Sequence, residues 1–196
     1  QDDGATWSNI AGDLPADGPV EVVTEDLANR DVLYCGTEHA CFVTLDRGTH
    51  WLSLNGKSLP PAAVHDIVIQ PRERDLVVGT HGRSIWVLDN AGFLGQLPTV
   101  CNQKLAVFDV LPAVPRIYAG RAYGAGHGVF RAKNGPVGAI LDVWVRDAAG
   151  EPLTVSIADS TGFAIRELTA TCRKGVNRVT WDLQMDRKHL FTSVDE

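Results

Sequence analysis

Positive charge is scarce in this chain: 18 Lys and Arg stand against 24 Asp and Glu, and they form no basic stripe. That excludes the electrostatic footprint of a nucleic-acid binder and disfavours any polyanion. Long apolar runs are missing too. No segment approaches the roughly 18 residues of a membrane helix, and the opening "QDDGATW" has neither the basic start nor the apolar core of a signal peptide. The chain also lacks an initiator Met and begins inside a motif, so a fragment or a processed chain is expected. Cys35, Cys41, Cys101 and Cys172 include no Cys-x-x-Cys pair, which argues against a zinc site or a thioredoxin-like redox motif. No Gly-x-Ser-x-Gly is present to support Ser/His/Asp catalysis. The Gly-rich stretch 119–128, "AGRAYGAGHG", has no following helix pattern and reads as an irregular loop, not a phosphate cradle. "DAAGEPLTVSIAD" lacks the acid spacing of an EF-hand loop, and His127 alone makes no metal site. No cofactor and no metal are expected.

Helix signals are weak as well, since no dozen-residue segment carries an apolar stripe at i, i+3, i+4 and i+7. What is present is short β-rich runs divided by Gly, Pro, Asn and Asp. Strands are expected over 19–24, 31–36, 40–45, 50–54, 63–70, 75–79 and 83–89. These form an internal repeat: "VEVVTEDLANRDVLYCGTEHACFVTLD" lies over "HDIVIQPRERDLVVGTHGRSIWVLD" with one two-residue gap. Gly36-Thr37 falls on Gly79-Thr80, Phe42 on Ile85 and Asp46 on Asp89. Trp7 and Trp51 stand 44 residues apart. A period of that size, with three or four short strands per unit, is the signature of a β-propeller blade. Two units cannot close a propeller, so further blades or associating open faces are implied.

After Asp89 the repeat decays, and "LGQLPTVCNQKL" reads as a linker. Beyond it, "LAVFDVLPAVPRIY" holds two apolar runs split by prolines. Strands follow over 138–147, 152–159, 164–170 and 176–184, each alternating apolar and polar residues as half-buried antiparallel strands do. The fold class expected is therefore all-β. It comprises the last blades of a β-propeller (1–95), a linker (96–104), an immunoglobulin- or fibronectin-like β-sandwich (105–185) and a polar tail (186–196).

The turn "TLDRGTHW", Thr44 to Trp51, poses the main functional question. Asp46 can accept backbone N–H bonds as Asx turns do, Gly48 can take positive φ, and Trp51 opens the next strand with a ring ready to pack. An aspartate used this way sits on a hairpin tip, not in the burial that raises a catalytic acid's pKa. Asp2, Gly4 and Trp7 repeat the spacing. Both stretches resemble the Asp-box turns, Ser/Thr-x-Asp-x-Gly-x-Thr-Trp, of sialidase-type and sortilin-type propellers; His50 stands where Thr is usual. In those families the boxes lie on the blade periphery, which implies a structural role here. "GTHGRSIWVLDN", "GPVGAILDVWV", "LTVSIADSTGFAIREL" and "GVNRVTWDLQ" further resemble the C-terminal region of large secreted bacterial proteins with sortilin-like, Asp-box (BNR repeat) propellers, often labelled glycosyl-hydrolase-like. That resemblance spans about 1–185. It implies last blades followed by an immunoglobulin-like domain and an extracytoplasmic location, and no demonstrated activity.

Ligand-binding candidates are His65, Asp66, His81, Arg83 and Trp86. In "THGRSIW" His81 and Arg83 flank Gly82 at a hairpin tip; Arg could clamp a carboxylate and His could titrate near neutral pH. The plainer reading pairs Arg83 with a nearby acid such as Asp66, or has it reach carbonyls of the neighbouring blade. His65 and Asp66 open what should be the innermost, channel-lining strand, and Glu21 occupies the Asp66 position of the previous unit. Two such carboxylates could hydrolyse glycosides; the plainer reading is polar residues facing a wet channel. A sialidase would need an arginine cluster and a Tyr nucleophile, but only Arg83 is roughly placed, and Tyr34, Tyr118 and Tyr123 are not. Cys35 and Cys41 flank a tight hairpin. A three-residue loop would set them face to face for a disulfide and a two-residue loop would set them diagonally; the plainer alternative is buried free thiols. Cys101 and Cys172 are a further possible bridge. The expected function is a non-catalytic scaffold that mediates protein or glycan interaction. Its partners would be further blades, from the parent chain or a second polypeptide, and a glycan or peptide. The alternative is a glycoside hydrolase whose acids lie mainly in absent blades.

Overall fold

The computed structural model describes residues 3–56, 59–115, 135, 137–147 and 150–186. Asp2, Tyr118, Tyr123, His127, the rest of the 119–128 stretch and residues 187–196 lie outside the described residues. Short strands in antiparallel sheets make up most of the structure, with one short helix among the described residues. The chain divides into two compact units, 1–99 and 100–196.

In the first unit β1 (Val20–Glu25), β2 (Leu33–Thr37), β3 (Cys41–Thr44) and β4 (Trp51–Ser53) form a meander in sequence order. β5 (Val64–Ile69), β6 (Leu76–Thr80) and β7 (Ile85–Leu88) form a second, three-stranded meander. Residues paired across antiparallel strands share a sheet face, so the registers assign every side chain. In the first sheet Val22, Tyr34, Cys41 and Val43 share a face and enter one core with Ile67, Ile69, Leu76 and Val78 of the second. The opposite face of the first sheet holds Cys35, Phe42 and Trp51, with Leu14 packed on them. The opposite face of the second sheet is uncovered: Val68 is 51% exposed, Val87 54% and Ile85 68%. Thr24 Oγ1 donates to the Ile67 carbonyl at 2.8 Å, linking the first strands of the two sheets.

The two sheets are copies in register. Each begins with a bulge, at Glu21 between Val20↔Thr37 and Val22↔Gly36, and at His65 between Val64↔Thr80 and Asp66↔Gly79. This corrects the alignment read from sequence. Glu21 corresponds to His65, not to Asp66, and Val22 corresponds to Asp66. The second hairpin is one residue longer in the second sheet, so Cys41 and Phe42 correspond to Ile85 and Trp86. The sheets therefore stack head to tail: the Tyr34 face of the first meets the face of the second that corresponds to Cys35. Gly36 makes this approach possible, because a Cβ there would lie 2.6 Å from Val64 Cγ1 and from the Val64 carbonyl oxygen.

Past Leu88 the chain turns into α1 (Phe93–Val100), which contains Pro98 and runs into the stretch 96–104 read as a linker. Phe93, Leu94 and Leu97 pack into the core between the sheets. Tertiary burial of this one apolar edge supports a helix too short and too proline-broken to hold alone. The turn before β2 is anchored to it. Asp26 accepts N–H bonds from Ala28 (2.9 Å) and Asn29 (3.1 Å), and Asn29 Nδ2 donates to the Gly95 carbonyl at 2.7 Å. Buried Tyr34 donates its hydroxyl to Asp26 at 3.0 Å, and burial, with the neighbouring carboxylate, pushes its pKa well above the phenol range.

In the second unit β8 (Leu105–Val107), β9 (Ala139–Val145) and β12 (Gly175–Trp181) form a sheet in the order β12-β9-β8, and β10 (Leu153–Ala158) pairs with β11 (Ala164–Ala170). Leu141, Val143, Val145 and Val179 of the first sheet share a core with Leu153, Val155 and Leu168 of the hairpin. On the other face of β9 the buried Asp142 lies directly opposite Arg178, which grips it bidentately at 2.8 and 2.9 Å.

Candidate functional site

The Asp46 turn is built almost wholly from its own side chains. Thr44 Oγ1 donates to Asp46 Oδ1 (2.9 Å) and accepts the Gly48 N–H (2.8 Å). Asp46 Oδ1 also accepts the His50 N–H at 2.9 Å, and its Oδ2 lies 2.6 Å from His50 Nδ1. The backbone bond from His50, then the contact with its ring, hold the Asp46 carboxyl down at about 2; the same contact raises the His50 imidazole. This is the opposite of a poised general acid, whose proton must stay on near neutral pH. Gly48 has φ +88°, and a Cβ there would lie 2.2 Å from the Ile10 carbonyl oxygen. The segment before β1 is thereby laid against the turn: Trp51 donates its N–H to Asp13 at 2.6 Å and its indole N–H to the Ile10 carbonyl at 3.1 Å. Arg47, beside the tip, pairs with Asp31.

The earlier copy of the turn differs. Trp7 donates its indole N–H to the Gly4 carbonyl at 3.0 Å but is 90% exposed, whereas Trp51 is buried. The spacing is the same; what Trp7 lacks is a sheet to pack against.

The five ligand-binding candidates sit at one end of the second sheet and divide into separate groups. His65, on the bulge, stacks against His81, with centroids 5.3 Å apart and an interplanar angle of 24°. His81 is positioned by its N–H bond to the Ala63 carbonyl, 2.8 Å. Positive φ at Gly82 and Ser84 turns the chain, and Thr80 closes the loop by donating its hydroxyl to the Ser84 carbonyl at 2.6 Å. Arg83 offers its carbonyl to the Trp86 indole at 2.7 Å, and its guanidinium is exposed with no ion pair among the described residues. The expected pairing with Asp66 does not form. Asp66 lies on the uncovered face, while Trp86 lies on the face turned to the first sheet. With Glu21 matched to His65, the proposed channel pair of Glu21 and Asp66 is not a pair of equivalent positions. Among the described residues no cluster of three or more His, Cys, Asp or Glu could hold a metal.

The chain matches no known protein family, no curated protein and no solved structure.

The cysteines resolve toward free thiols. Cys35 pairs with Phe42 and Cys41 with Gly36, so the two thiols point to opposite faces of one sheet and enter different cores. Both are buried; burial raises each thiol's pKa, that of Cys41 to about 12. Cys101 and Cys172 are not joined in a disulfide either, so neither possible bridge is formed. Sequence reading missed a further feature, a groove of 240 Å³ beside β7 lined by Leu54, Leu59, Leu76, Val78, Trp86 and Leu88. These residues belong to strands and loops far apart in sequence, and only the decay of the repeat after Asp89 hinted that a neighbour of β7 was absent.

Proposed function

We propose that the chain is the C-terminal part of an extracytoplasmic, non-catalytic β-propeller scaffold, followed by an immunoglobulin-like sandwich, that mediates protein or glycan contacts within a larger assembly. The observation that carries this reading is Gly79. Its counterpart Gly36 has no side chain because Val64 of the next sheet presses on it, yet around Gly79 a Cβ would meet nothing nearer than Asp66 at 3.6 Å. Gly79 sits on the uncovered face among Val68, Ile85 and Val87. Contiguous exposed apolar surface of this kind marks an interaction face, and a head-to-tail interface repeats until a ring closes. The Asp46 turn, saturated by its own neighbours, supports a structural Asp-box, and the exposed Arg83 beside two histidines supports contact with an anionic group. With no disulfide formed by the four cysteines, the extracytoplasmic part rests on the resemblance alone.

Light scattering across a concentration series tests the open face. The chain is expected to associate as concentration rises, and Val68→Glu, at an already half-exposed position, to keep it monomeric. A wild-type chain that stays monomeric and binds no hydrophobic dye would overturn the reading.

A further inference from the structure

We infer that the free edge of β7 and the groove beside it capture an extended segment of a partner polypeptide, added as a fourth antiparallel strand and led by an aromatic residue. The first sheet contains the template. There β4 pairs with β3 as Trp51↔Thr44, Leu52↔Val43 and Ser53↔Phe42, and Trp51 is buried with Cys35 and Phe42. By the register of the two sheets, Thr44, Val43 and Phe42 correspond to Leu88, Val87 and Trp86, and Cys35 to Val78. Among the described residues β7 ends its sheet without a fourth strand, because the chain turns at Asn90 (φ +50°) into α1. The 240 Å³ groove lies where the counterpart of Trp51 would sit: Val78 and Trp86, which correspond to the neighbours of Trp51, are two of its walls.

An occupant gains twice. Its backbone pairs with a strand edge that no strand among the described residues occupies, and its leading ring leaves water for an apolar groove. The pattern required is aromatic, then a tolerant position, then a small residue. The middle side chain points away, as Leu52 does. The chain's net charge of -6 favours basic over acidic flanks on the partner. This goes beyond the scaffold reading and is independent of it, since a strand can add to β7 whether or not a ring ever closes.

The test uses the full chain and a dye-labelled, end-capped peptide THWLSLN, the chain's own residues 49–55, followed by fluorescence anisotropy and amide hydrogen exchange. Saturable binding is expected, weakened at least about tenfold by replacing the peptide's Trp with Ala. Exchange should slow across β7, a readout that needs no variant. Leu88→Lys should weaken binding by a similar factor while backbone spectra stay native, and Val68→Glu, on the other face, should leave it unchanged. Absence of saturable binding, indifference to the peptide's Trp, or unchanged exchange at β7 would each overturn the inference. So would a peptide that binds only once Trp7→Ala is introduced, because the exposed Trp7 segment of a second copy would then be the occupant.

Discussion

Asp46 and His50 hold each other's charge at an exposed turn, and the consequence is directly measurable. The carboxylate raises the imidazole above its ordinary value near 6.5. A raised folded-state pKa means the contact contributes to folding fully below that ordinary value and fades as pH climbs through the raised one. An NMR titration of the His50 ring should therefore find it titrating above 6.5, and Asp46→Asn should bring it back. Asp46 is depressed, so its own contribution is present above the usual carboxylate range and is lost only as pH falls through about 2. An unshifted His50 would mean the turn is not closed in solution. At this scale the sequence was readable: Asp46, Gly48 and Trp51 do what Asx chemistry, positive φ and an aromatic strand start require. The state of Cys35 and Cys41 was not, because one residue of hairpin length decides which face each thiol meets.

Strands and their order were largely legible from alternating β-branched runs; their register was not. Glu21 and His65 each occupy a bulge, and a bulge inserts a residue without leaving a mark in the apolar pattern. The helix over Phe93–Val100 was hidden for a different reason: its support comes from the core it enters, and Pro98 argues against it locally. The register makes a paired prediction. Gly36→Ala sets a methyl 2.6 Å from the Val64 backbone and should cost about 1–3 kcal/mol in urea unfolding. Gly79→Ala, its counterpart, meets nothing closer than 3.6 Å and should change stability by less than about 0.5 kcal/mol. Equal effects at the two glycines would contradict the head-to-tail stacking.

Each unit carries its own core, so damage to one should stay there. Arg178 holds the Asp142 carboxylate, whose side chain is only 2% exposed. Arg178→Met leaves that charge without its fork and should cost about 3 kcal/mol. Hydrogen exchange is expected to rise over β9 and β12 and to stay unchanged over β1 to β7; acceleration across both units would show that they unfold as one. The candidate ligand residues were legible as residue types but not as a constellation, since whether Asp66 and Trp86 share a face depends on pairing that composition does not encode.

The stacking of the two sheets is head to tail: the first presents to the second the surface whose counterpart the second leaves uncovered. Copying the segment from β1 through Ala63 once more within the gene would leave the first and last surfaces of the stack unaltered. A chain lengthened by one such unit should fold with the same uncovered valines, now displaced by one repeat along the stack.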